Sequence, residues 1–582
     1  MMRVTTKLRS LFKIPETKYT SGEIFRWLWR AWQGNRLQAV LNAVIGLLGV
    51  VVSLSSVWAV QHAIDVASHY VQGDIVVAVA FMGLLILCSF GLNIASVWVS
   101  NLLGIKAQNR MQQQLLDRIL RSEWHGRESR HSGDVLNRLE IDVTNVVNFL
   151  TEIIPGALST LAMFLGAFCY LLLMDWRLAI LIVIMIPVFV LLSKIYIRQM
   201  RRLTSQVRSS DSKVQSVLQE TIQNRMLIKT LEGDVAAVDR LEDTQSELRS
   251  RVVKRTKFSV FSNLVLNLGF SCGYLLAFAW AAFRLSTNTL SFGGMTAFLQ
   301  LVNRIQNPAR QLTRLVPSFV SVFTAAERLM ELEEDPLEEQ GKPIELGRPC
   351  GIRFKEVSYF YDREDGNVID NLSFDFPPGS CTAVLGETGS GKTTLIRMML
   401  ALLRPRQGKV EIYDDKENLE LTPRFRANFV YVPQGNTLLS GTIRENLLLG
   451  KMTATTEEME EALRKSCAEF VFDLPNGLDT QCSEKGGGLS EGQAQRISIA
   501  RSLLRNRSVM LFDEATSALD PETERRLLEN LLKNKNKTVI FITHRPALIP
   551  YCDRILELKR TARAKHENGK SSNTIRESEF NK

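Results

Sequence analysis

The sequence predicts an α-helical polytopic membrane domain, with six transmembrane helices and long cytoplasmic extensions, followed by an α/β P-loop domain. The first observation is that most long apolar runs of the 582-residue chain lie before residue 325. The second is that the chain after residue 350 alternates short apolar strands with helices, as α/β domains do. The third is a glycine-rich stretch at 386–393, typical of phosphate-binding loops, between a predicted strand and a predicted helix.

Composition limits the partners of the chain. Lys and Arg outnumber Asp and Glu by 71 to 61, a formal net charge of +10 that suggests nucleic acid or an anionic membrane surface as a partner. The apolar runs favour membrane lipid, and we expect no nucleic acid partner. The eight cysteines are scattered without a C-x-x-C pair, so neither a disulfide framework nor a zinc site is predicted.

Residues 1–36 are predicted to form a cytoplasmic N-terminus and an interfacial elbow helix. The stretch 1–18 is basic and lacks the apolar core of a signal peptide, so we expect no cleavage. In the stretch 21–36, three tryptophans are interspersed with arginines in an amphipathic pattern. Such a helix suits the membrane interface, and a buried core helix is the alternative.

Six spans make up a predicted transmembrane domain at 37–330, because each apolar run has the roughly 20 residues that a bilayer requires. We place them at 37–60, 75–99, 153–174, 178–197, 258–283 and 292–323. Polar residues interrupt the sixth, namely Asn303, Arg304, Gln306, Asn307, Arg310 and Arg314. Polar groups at this depth must face a bundle interior or a water-filled cavity. We favour a translocation pathway; the alternative is that part of this segment lies outside the bilayer.

The charges of the connecting segments predict the orientation. The segments 101–152 and 198–257 are rich in Lys and Arg, whereas the opposite connections are short and contain only Arg177 and Arg284 of these basic residues, at their edges. By the positive-inside rule the two long segments and both termini are cytoplasmic. We therefore expect a multi-pass protein of the plasma (inner) membrane with its P-loop domain in the cytoplasm.

The chain changes character after the last span. Residues 331–349 are acidic and contain Pro and Gly, which is typical of a linker. We assign 350–560 to the nucleotide-binding domain. The tail at 561–582 is polar without periodicity, so it is predicted to be disordered.

The stretch 386–393 fits the pattern G-x-x-x-x-G-K-[ST], in which backbone N–H groups surround a polyphosphate. Lys392 would bring its positive charge to the outer phosphates, and the Thr393 hydroxyl can ligate Mg²⁺. An apolar strand is predicted at 381–385 and a helix at 394–403, whose N-terminus would point at the anion. This context predicts a nucleotide site.

A second acidic motif follows downstream. The apolar run 509–512 ends in Asp513 and Glu514. Asp513 can hold Mg²⁺ through its carboxylate, and Glu514 can polarise the attacking water. Alone this pattern is common and usually structural, but a phosphate loop upstream makes it specific.

Further motifs resemble those of the ABC transporter superfamily. The stretch Leu489-Ser490-Glu491-Gly492-Gln493 resembles the L-S-G-G-Q signature of ABC ATPases. Residues 517–520 resemble the family's D-loop. Gln434, His544 and Tyr361 match its Q-loop, its H-loop and its adenine-stacking aromatic residue. Six spans fused ahead of one such domain resemble an exporter-type (type IV fold) half-transporter, over nearly the whole chain.

The resemblance implies a role for each site residue. Tyr361 would stack on the adenine of ATP. Gln434 would join Thr393 and Asp513 in arranging Mg²⁺, Glu514 would act as general base, and His544 would contact the γ-phosphate. The phosphates would be held by Gly386, Glu387, Thr388, Gly389, Ser390, Gly391, Lys392, Thr393 and Thr394. The resemblance also implies that Ser490, Gly492 and Gln493 bind the nucleotide of an opposing subunit, so a dimer is required.

Two departures from the family pattern bear on this expectation. Glu491 replaces the first of two glycines; it either weakens closure by repelling a phosphate, or it points to solvent or to a coupling segment, which we favour because Ser490, Gly492 and Gln493 are intact. Cys482 and Ser483 depart from the T-x-V-G-E-x-G pattern of exporters, which leaves the role of that loop open. The segments 124–133 and 219–225 resemble exporter coupling helices, with a solvated helix turn as the alternative.

These observations favour ATP-driven export or flipping of a lipid or amphipathic small molecule by a dimeric ABC exporter. A second copy of the chain is the favoured partner, and another half-transporter is the alternative. An ATP-gated channel or regulatory ABC membrane protein would share the motifs without strict coupling. The apolar spans argue against a soluble ABC ATPase acting on DNA or ribosomes.

Overall fold

The computed structural model describes residues 18–33, 36–124, 132–347, 349–361, 366–483, 488–533 and 536–559. Their side chains are described except at 132, 181–198, 201, 266, 309–310, 312–317, 320 and 546–547. The described chain forms two compact units, one of residues 18–117 and 132–334 and the other of residues 118–124 and 335–559. The predicted tail at 561–582 and most of the stretch 1–18 lie outside the described residues.

The first unit is helical. Its first four helices are α1 (Ser21–Gln33), α2 (Arg36–Ala67), α3 (Ile75–Arg121) and α4 (Ser132–Asn137). They are followed by α5 (Val143–Asn148), α6 (Ile154–Met174), α7 (Trp176–Gln223), α8 (Arg225–Thr230), α9 (Asp234–Ser286) and α10 (Phe292–Glu333). Two π-helical turns, Arg138–Asp142 and Phe149–Ile153, join α4, α5 and α6 into one continuous helical segment.

Within the described part of the chain, four helices are long and apolar enough to cross a membrane, namely α2, α3, the segment Gly133–Met174 and α9. The predicted spans at 37–60, 75–99, 153–174 and 258–283 lie in these helices. The other two predicted spans lie in α7 and α10. Part of the apolar stretch of α7 has side chains outside the described set, and α10 carries the polar residues noted above.

The predicted cytoplasmic extensions continue the membrane helices without a break. Helix α3 runs 22 residues beyond the predicted span end at 99, and α7 continues to Gln223. At 1.5 Å per residue, 22 residues extend about 33 Å. The helix is interrupted at Asn224, inside the predicted coupling segment at 219–225, and α8 begins at Arg225.

The core of the membrane unit lies between α2, α6, α9 and α10. Its fully buried side chains are small or branched at many positions, including Val57, Ala167, Leu171, Ala277, Ala281, Ala297, Leu301 and Ile305. Small residues let helix backbones approach closely, which drives association where lipid is as apolar as the side chains. Near the predicted outer ends of the helices, the Asp175 carboxylate accepts hydrogen bonds from Trp280 and Arg284 at 3.0 and 2.7 Å.

The predicted elbow helix is present as α1, with one face packed against protein and the other exposed. Ile24, Trp27 and Leu28 are buried, and the Trp27 indole N–H donates to Glu333 at the end of α10 at 2.8 Å. Trp29 is exposed on the same helix. One face of α1 therefore packs on protein as a core helix would, and the other remains open for a membrane interface.

The described part of the second unit contains two larger sheets, a two-stranded sheet and five α-helices. Its strands are β1 (Gly351–Tyr359), β2 (Ile369–Phe376), β3 (Cys381–Gly386), β4 (Gln407–Tyr413), β5 (Asn418–Glu420), β6 (Phe429–Val432), β7 (Gly441–Thr442), β8 (Gln481–Cys482), β9 (Val509–Asp513), β10 (Thr538–Ile542) and β11 (Arg554–Leu558). Its α-helices are α11 (Lys392–Met399), α12 (Ile443–Leu448), α13 (Thr456–Lys465), α14 (Glu491–Arg505) and α15 (Pro521–Leu532).

One sheet is antiparallel, in the order β2-β1-β4-β5, and the other is parallel, in the order β11-β3-β10-β9-β6. Strand β9 reads Val-Met-Leu-Phe before Asp513, and these four side chains are buried. Continuous apolar strands of this kind are typical of parallel sheets covered on both faces.

Four neighbouring strands of the parallel sheet end side by side. Strand β3 ends at Gly386, β10 at Ile542, β9 at Asp513 and β6 at Val432. Ligands of open α/β sheets bind outside the carboxyl ends of the strands. The sheet order therefore brings the segments that follow these four strands to one edge.

The end of α3 and the segment after it belong to the second unit. The Glu338 N–H donates to the carbonyl of Arg121 at 2.9 Å, and Ser122 forms an antiparallel bridge with Leu337. The Trp124 ring centre lies 6.0 Å from the Arg397 guanidinium of α11. Most of the predicted coupling segment at 124–133 lies outside the described residues.

Candidate nucleotide site

The phosphate loop connects β3 to α11, as the pattern at 386–393 predicts. Gly389 and Gly391 have φ values of 86° and 98°, a region that glycine enters without steric cost. A Cβ atom on Gly386 would lie 2.6 Å from the carbonyl oxygen of Leu558. Helix α11 begins at Lys392 and ends at Met399, earlier than the predicted end at 403, because Ala401 turns the chain with a φ of 50°.

Two polar groups of the loop fit an incoming polyphosphate. The Lys392 ammonium donates to the carbonyls of Gly386 and Glu387 at 2.6 and 3.2 Å, so it lies over the loop rather than away from it. The Ser390 hydroxyl is buried and has no hydrogen-bond partner among the described residues. A buried unpaired hydroxyl in a glycine-rich loop is a ready donor for a phosphate oxygen.

Gln434, Glu514 and His544 meet at the edge of the parallel sheet. The Gln434 amide donates to Glu514 Oε2 at 2.8 Å, and His544 Nδ1 lies 3.3 Å from Glu514 Oε1. The Glu514 carboxylate is mostly buried, whereas the His544 ring is 62% exposed. The structure thus brings together three residues that were selected separately, by the Q-loop, the acidic motif and the H-loop.

Glu514 itself has an unusual backbone conformation. Its φ is 49°, in the left-handed region, and its N–H donates to the carbonyl of Ile542 on the neighbouring strand at 2.9 Å. A non-glycine residue in this region costs on the order of 1–3 kcal/mol, and such strain clusters at functional sites. The strain aims the carboxylate toward Gln434 and His544.

Asp513 ends β9 and contacts a residue that the sequence analysis did not select. The Tyr431 hydroxyl donates to Asp513 Oδ2 at 3.2 Å. Burial raises the pKa of the Asp513 carboxyl, the Tyr431 hydrogen bond opposes that rise, and the nearby Glu514 charge adds to it. Burial and the Asp513 charge also raise the pKa of Tyr431, so its hydroxyl keeps its proton at neutral pH.

We expect Tyr431→Phe to move the acid limb of Mg²⁺-dependent nucleotide binding to higher pH. Without the hydroxyl, the pKa of Asp513 rises further, so a smaller fraction of Asp513 is deprotonated at a given acidic pH. Only the deprotonated carboxylate can ligate a cation. Binding of a fluorescent nucleotide, measured against Mg²⁺ concentration across acidic pH, checks this.

Tyr413→Phe is the matched control, because the Tyr413 hydroxyl donates to Asp375 at 2.8 Å on the antiparallel sheet. It removes an equivalent tyrosine–aspartate bond and should leave the acid limb in place. Superimposable pH profiles for wild type and Tyr431→Phe would show that Tyr431 does not act on Asp513.

Tyr361 is held by its hydroxyl beside the phosphate loop. Its hydroxyl lies 3.0 Å from the Thr394 hydroxyl, and Arg397 Nη1 donates to it at 3.2 Å. The Tyr359 ring packs edge-on against it, with ring centres 5.1 Å apart. These contacts orient the ring next to the first turn of α11, and stacking on adenine stays a prediction.

The signature segment begins helix α14. Ser490 is its N-cap: the Ser490 hydroxyl accepts from the Gln493 N–H at 3.2 Å, and the Gln493 side chain accepts from the Ser490 N–H at 2.9 Å. Glu491 is exposed in the first turn, where a negative charge is favourable. The hydrogen bonds of Ser490 and Gln493 thus run to each other and not to the phosphate loop within the described chain.

Gly492 packs against the D-loop segment. A Cβ atom on Gly492 would lie 2.7 Å from the carbonyl oxygen of Ala518, so only glycine allows this approach. The Arg545 guanidinium, next to His544, donates to the carbonyl of Ser517. The D-loop is therefore attached on one side to the signature helix and on the other to the residue after His544.

Cys482 is a packing residue. It is buried in the core formed by α12, α13 and α14, and β8, which contains it, pairs with β7. This burial accounts for an apolar residue in the loop that departs from the exporter pattern. The remainder of that motif, at 484–486, lies outside the described residues.

Sequence reasoning missed Tyr431, Arg397 and Arg545. Tyr431 lies on β6 opposite Leu511 of β9. Because Leu511 is two residues before Asp513 on the same strand, this register brings the Tyr431 side chain to the Asp513 carboxylate. Arg397 and Arg545 act through contacts with Tyr361 and with the D-loop. The only sequence signal for these residues was that each lies near a motif. Tyr431 is three residues before Gln434, Arg397 is five residues after Lys392, and Arg545 directly follows His544.

Comparisons with known proteins agree with this fold. The ABC transporter transmembrane region matches residues 39–309, and the ABC transporter domain matches residues 369–517. The ATP-dependent lipid A-core flippase of Chromobacterium violaceum is 30% identical over 457 residues, covering 77% of this chain and 77% of that protein. The protein of the same description from Bordetella avium is 29% identical over 496 residues, covering 83% and 82%.

Among solved structures, a bacterial Atm1-family ABC exporter with ATP bound superposes with a TM-score of 0.73. The match covers 90% of this chain and 94% of that one at 23% sequence identity, which shows a shared fold. The predicted fold class, a helical membrane domain followed by an α/β nucleotide-binding domain, is confirmed. The chain belongs to the ABC transporter family, as a half-transporter of the exporter type that couples ATP hydrolysis to transport.

Proposed function

We propose that the protein is a dimeric exporter that flips a lipid or amphipathic small molecule across the plasma (inner) membrane, with both termini and the ATPase domain in the cytoplasm. The observation that carries the proposal is the hydrogen-bonded set of Gln434, Glu514 and His544 beside an intact phosphate loop, in a chain with a membrane domain. Relatives described as lipid A-core flippases support a lipid substrate.

The residues fit MgATP. Lys392, the Ser390 hydroxyl and the glycines of the loop would hold the phosphates, and Tyr361 would stack on the base. Thr393, Gln434 and Asp513 would hold Mg²⁺, which neutralises phosphate charge when bound. Glu514, already oriented by two neighbours, would take the proton of the attacking water, and His544 would orient that water and contact the γ-phosphate.

The second half of the site would come from another copy of the chain. Ser490, Gly492 and Gln493 stand at the N-terminus of the 15-residue helix α14, where N–H groups and the helix dipole favour an anion. We infer that they bind the γ-phosphate held by the partner's phosphate loop. ATP would then close the dimer, and hydrolysis would release it.

Transport in vesicles tests the proposal. Inside-out proteoliposomes with a fluorescent lipid in the outer leaflet should move it inward on addition of MgATP, and Glu514→Gln vesicles should not. Passive lipid movement at the same rate without ATP, or conductance without accumulation, would contradict a pump.

The segment after α3 supports a coupling route inside the second unit. Trp124 contacts Arg397, which donates to the Tyr361 hydroxyl at 3.2 Å. Glu338, which bonds the end of α3, also accepts two hydrogen bonds from Arg426 at 2.6 and 2.7 Å. Movement of Tyr361 or α11 on nucleotide binding would therefore reach the end of α3.

We expect Trp124→Ala to reduce the stimulation of ATPase activity by transported lipid about two- to thirtyfold, since coupling residues typically contribute about 0.5–2 kcal/mol. Activity without lipid should persist, because Trp124 touches no residue of the phosphate loop among its described contacts. Phe472→Ala is the control: Arg464 lies 4.8 Å from the Phe472 ring in the core formed by α12–α14. Unchanged stimulation in Trp124→Ala would exclude this route.

A further inference from the structure

Helix α10 has two unlike faces where it passes through the membrane unit. One face is apolar and fully buried in the core between the helices, through Ala297, Phe298, Leu301, Val302 and Ile305. Polar residues recur at three- and four-residue spacing on the other side, at Gln300, Arg304, Asn307 and Gln311. We call these four residues, which extend over about 16 Å of helix, the polar stripe.

Arg304 lies within the sixth predicted span, well inside helix α10. At 1.5 Å per residue it is about 18 Å from Phe292, where α10 begins. Its Nη2 donates to the Ser56 hydroxyl of α2 at 3.3 Å, and Ser56 lies about 17 Å before Ala67, where α2 ends. Arg304 lies inside the predicted span at 292–323 and Ser56 inside the predicted span at 37–60, so this contact lies within the hydrocarbon layer of roughly 30 Å.

The guanidinium has no carboxylate partner in the described part of the chain; Ser56 is its one hydrogen-bond acceptor there. Arg284, by contrast, donates to Asp175 at 2.7 Å. An ion at bilayer depth is costly unless it faces a cavity or meets an opposite charge. Arg304 carries this desolvation cost although it is not part of the buried core. The core is formed by the apolar face of the same helix.

The polar neighbours of Arg304 among the described side chains are neutral hydrogen-bonding groups. Asn303 and Asn307 are exposed on either side of it, and Gln311 meets the Thr160 hydroxyl of α6 at 3.4 Å. A guanidinium among these amides and hydroxyls is suited to a phosphate or carboxylate, which takes charge-assisted bonds from guanidinium and further bonds from amides.

We propose that Arg304 binds the phosphate or carboxylate headgroup of the transported amphiphile, with the polar stripe lining its path. This rests on the proposed function, since it assigns a substrate class to that pathway: an anionic amphiphile rather than a neutral or cationic one. Ser56 holds the guanidinium in place, and the headgroup replaces the missing carboxylate.

Direct binding tests the proposal without relying on ATPase activity. Detergent-solubilised full-length protein is titrated with fluorescent phosphatidic acid and with fluorescent phosphatidylcholine. Arg304→Gln should weaken phosphatidic acid binding roughly tenfold or more, as expected for losing a bond to a charged group. Arg304→Lys keeps the charge and should retain most of the affinity. Arg177→Gln, which removes an exposed arginine at the start of α7, should bind like wild type.

Competition identifies the source of the anion. Displacement by short-chain phosphatidic acid alone supports a lipid headgroup, and displacement by inorganic phosphate as well supports a site for the free anion. Equal wild-type affinity for phosphatidic acid and phosphatidylcholine, or equal losses in Arg304→Gln and Arg304→Lys, would overturn the proposal. If wild type hydrolyses no ATP and yet binds phosphatidic acid through Arg304, the proposed function fails and this inference stands.

Discussion

Replacing Glu514 with Gln is expected to slow ATP hydrolysis by about 10²- to 10⁴-fold while leaving ATP binding intact. The amide keeps the shape of the carboxylate but cannot accept the proton of the attacking water. Lys392, Ser390 and Tyr361, which would hold ATP, do not depend on the charge of Glu514 for the contacts described above. Phosphate release and fluorescent nucleotide binding, measured on one preparation, separate the two effects.

The left-handed backbone at Glu514 makes the Gln variant a better test than Ala. Both Glu and Gln side chains can lie between Gln434 and His544, so the variant retains the arrangement of the site. Glu529→Gln is the matched control, since Glu529 is on α15 and pairs with Arg525 at 3.0 Å. Near-normal hydrolysis in Glu514→Gln would mean that another group activates the water.

Replacing Ser490 with Arg is expected to reduce hydrolysis at least about tenfold without loss of ATP binding to the phosphate loop. A hydrogen bond to a charged phosphate is worth about 1.5–3 kcal/mol, and the bulkier arginine would also hold two chains apart. Because Ser490 and Gln493 bond each other rather than the phosphate loop of their own chain, binding there should persist.

The Ser490 variant also loses a helix cap, which costs about 0.5–2 kcal/mol by itself. Thr455→Arg controls for this loss: Thr455 caps α13 with the same reciprocal bonds to Glu458, in the same domain. The two variants should lose similar stability, and only Ser490→Arg should lose hydrolysis. Failure of ATP binding in Ser490→Arg would argue that the signature segment serves its own chain.

Sequence reasoning could predict the parts of the site that depend on local pattern. The glycines at 386–391, the strand before them and the acidic end of β9 follow from backbone geometry and from continuous apolar runs. Membrane helices begin within two residues of the predicted starts at 37, 75, 178 and 292, whereas the spans predicted from 153 and 258 begin inside longer helical segments. The sixth predicted span is not among the four helices that are long and apolar enough to cross a membrane, because the polar stripe interrupts its apolar sequence.

Contacts set by tertiary arrangement could not be predicted. Tyr431 reaches Asp513 because β6 pairs with β9 in a particular register, which the chain does not reveal locally. Arg397 meets Trp124 across a separation of more than 250 residues. The early end of α11 depends on the left-handed turn at Ala401, an alanine in a position more typical of glycine.

The central claim, that each nucleotide site is shared between two chains, is tested most directly by mixing two inactive variants. Ser490→Arg and Lys392→Ala chains are co-expressed with different affinity tags, and the heterodimer is isolated through both. A shared site predicts that the heterodimer hydrolyses ATP, because Lys392 of one chain and Ser490 of the other form one intact site. Both homodimers remain inactive. A heterodimer as inactive as its parents would contradict the shared site.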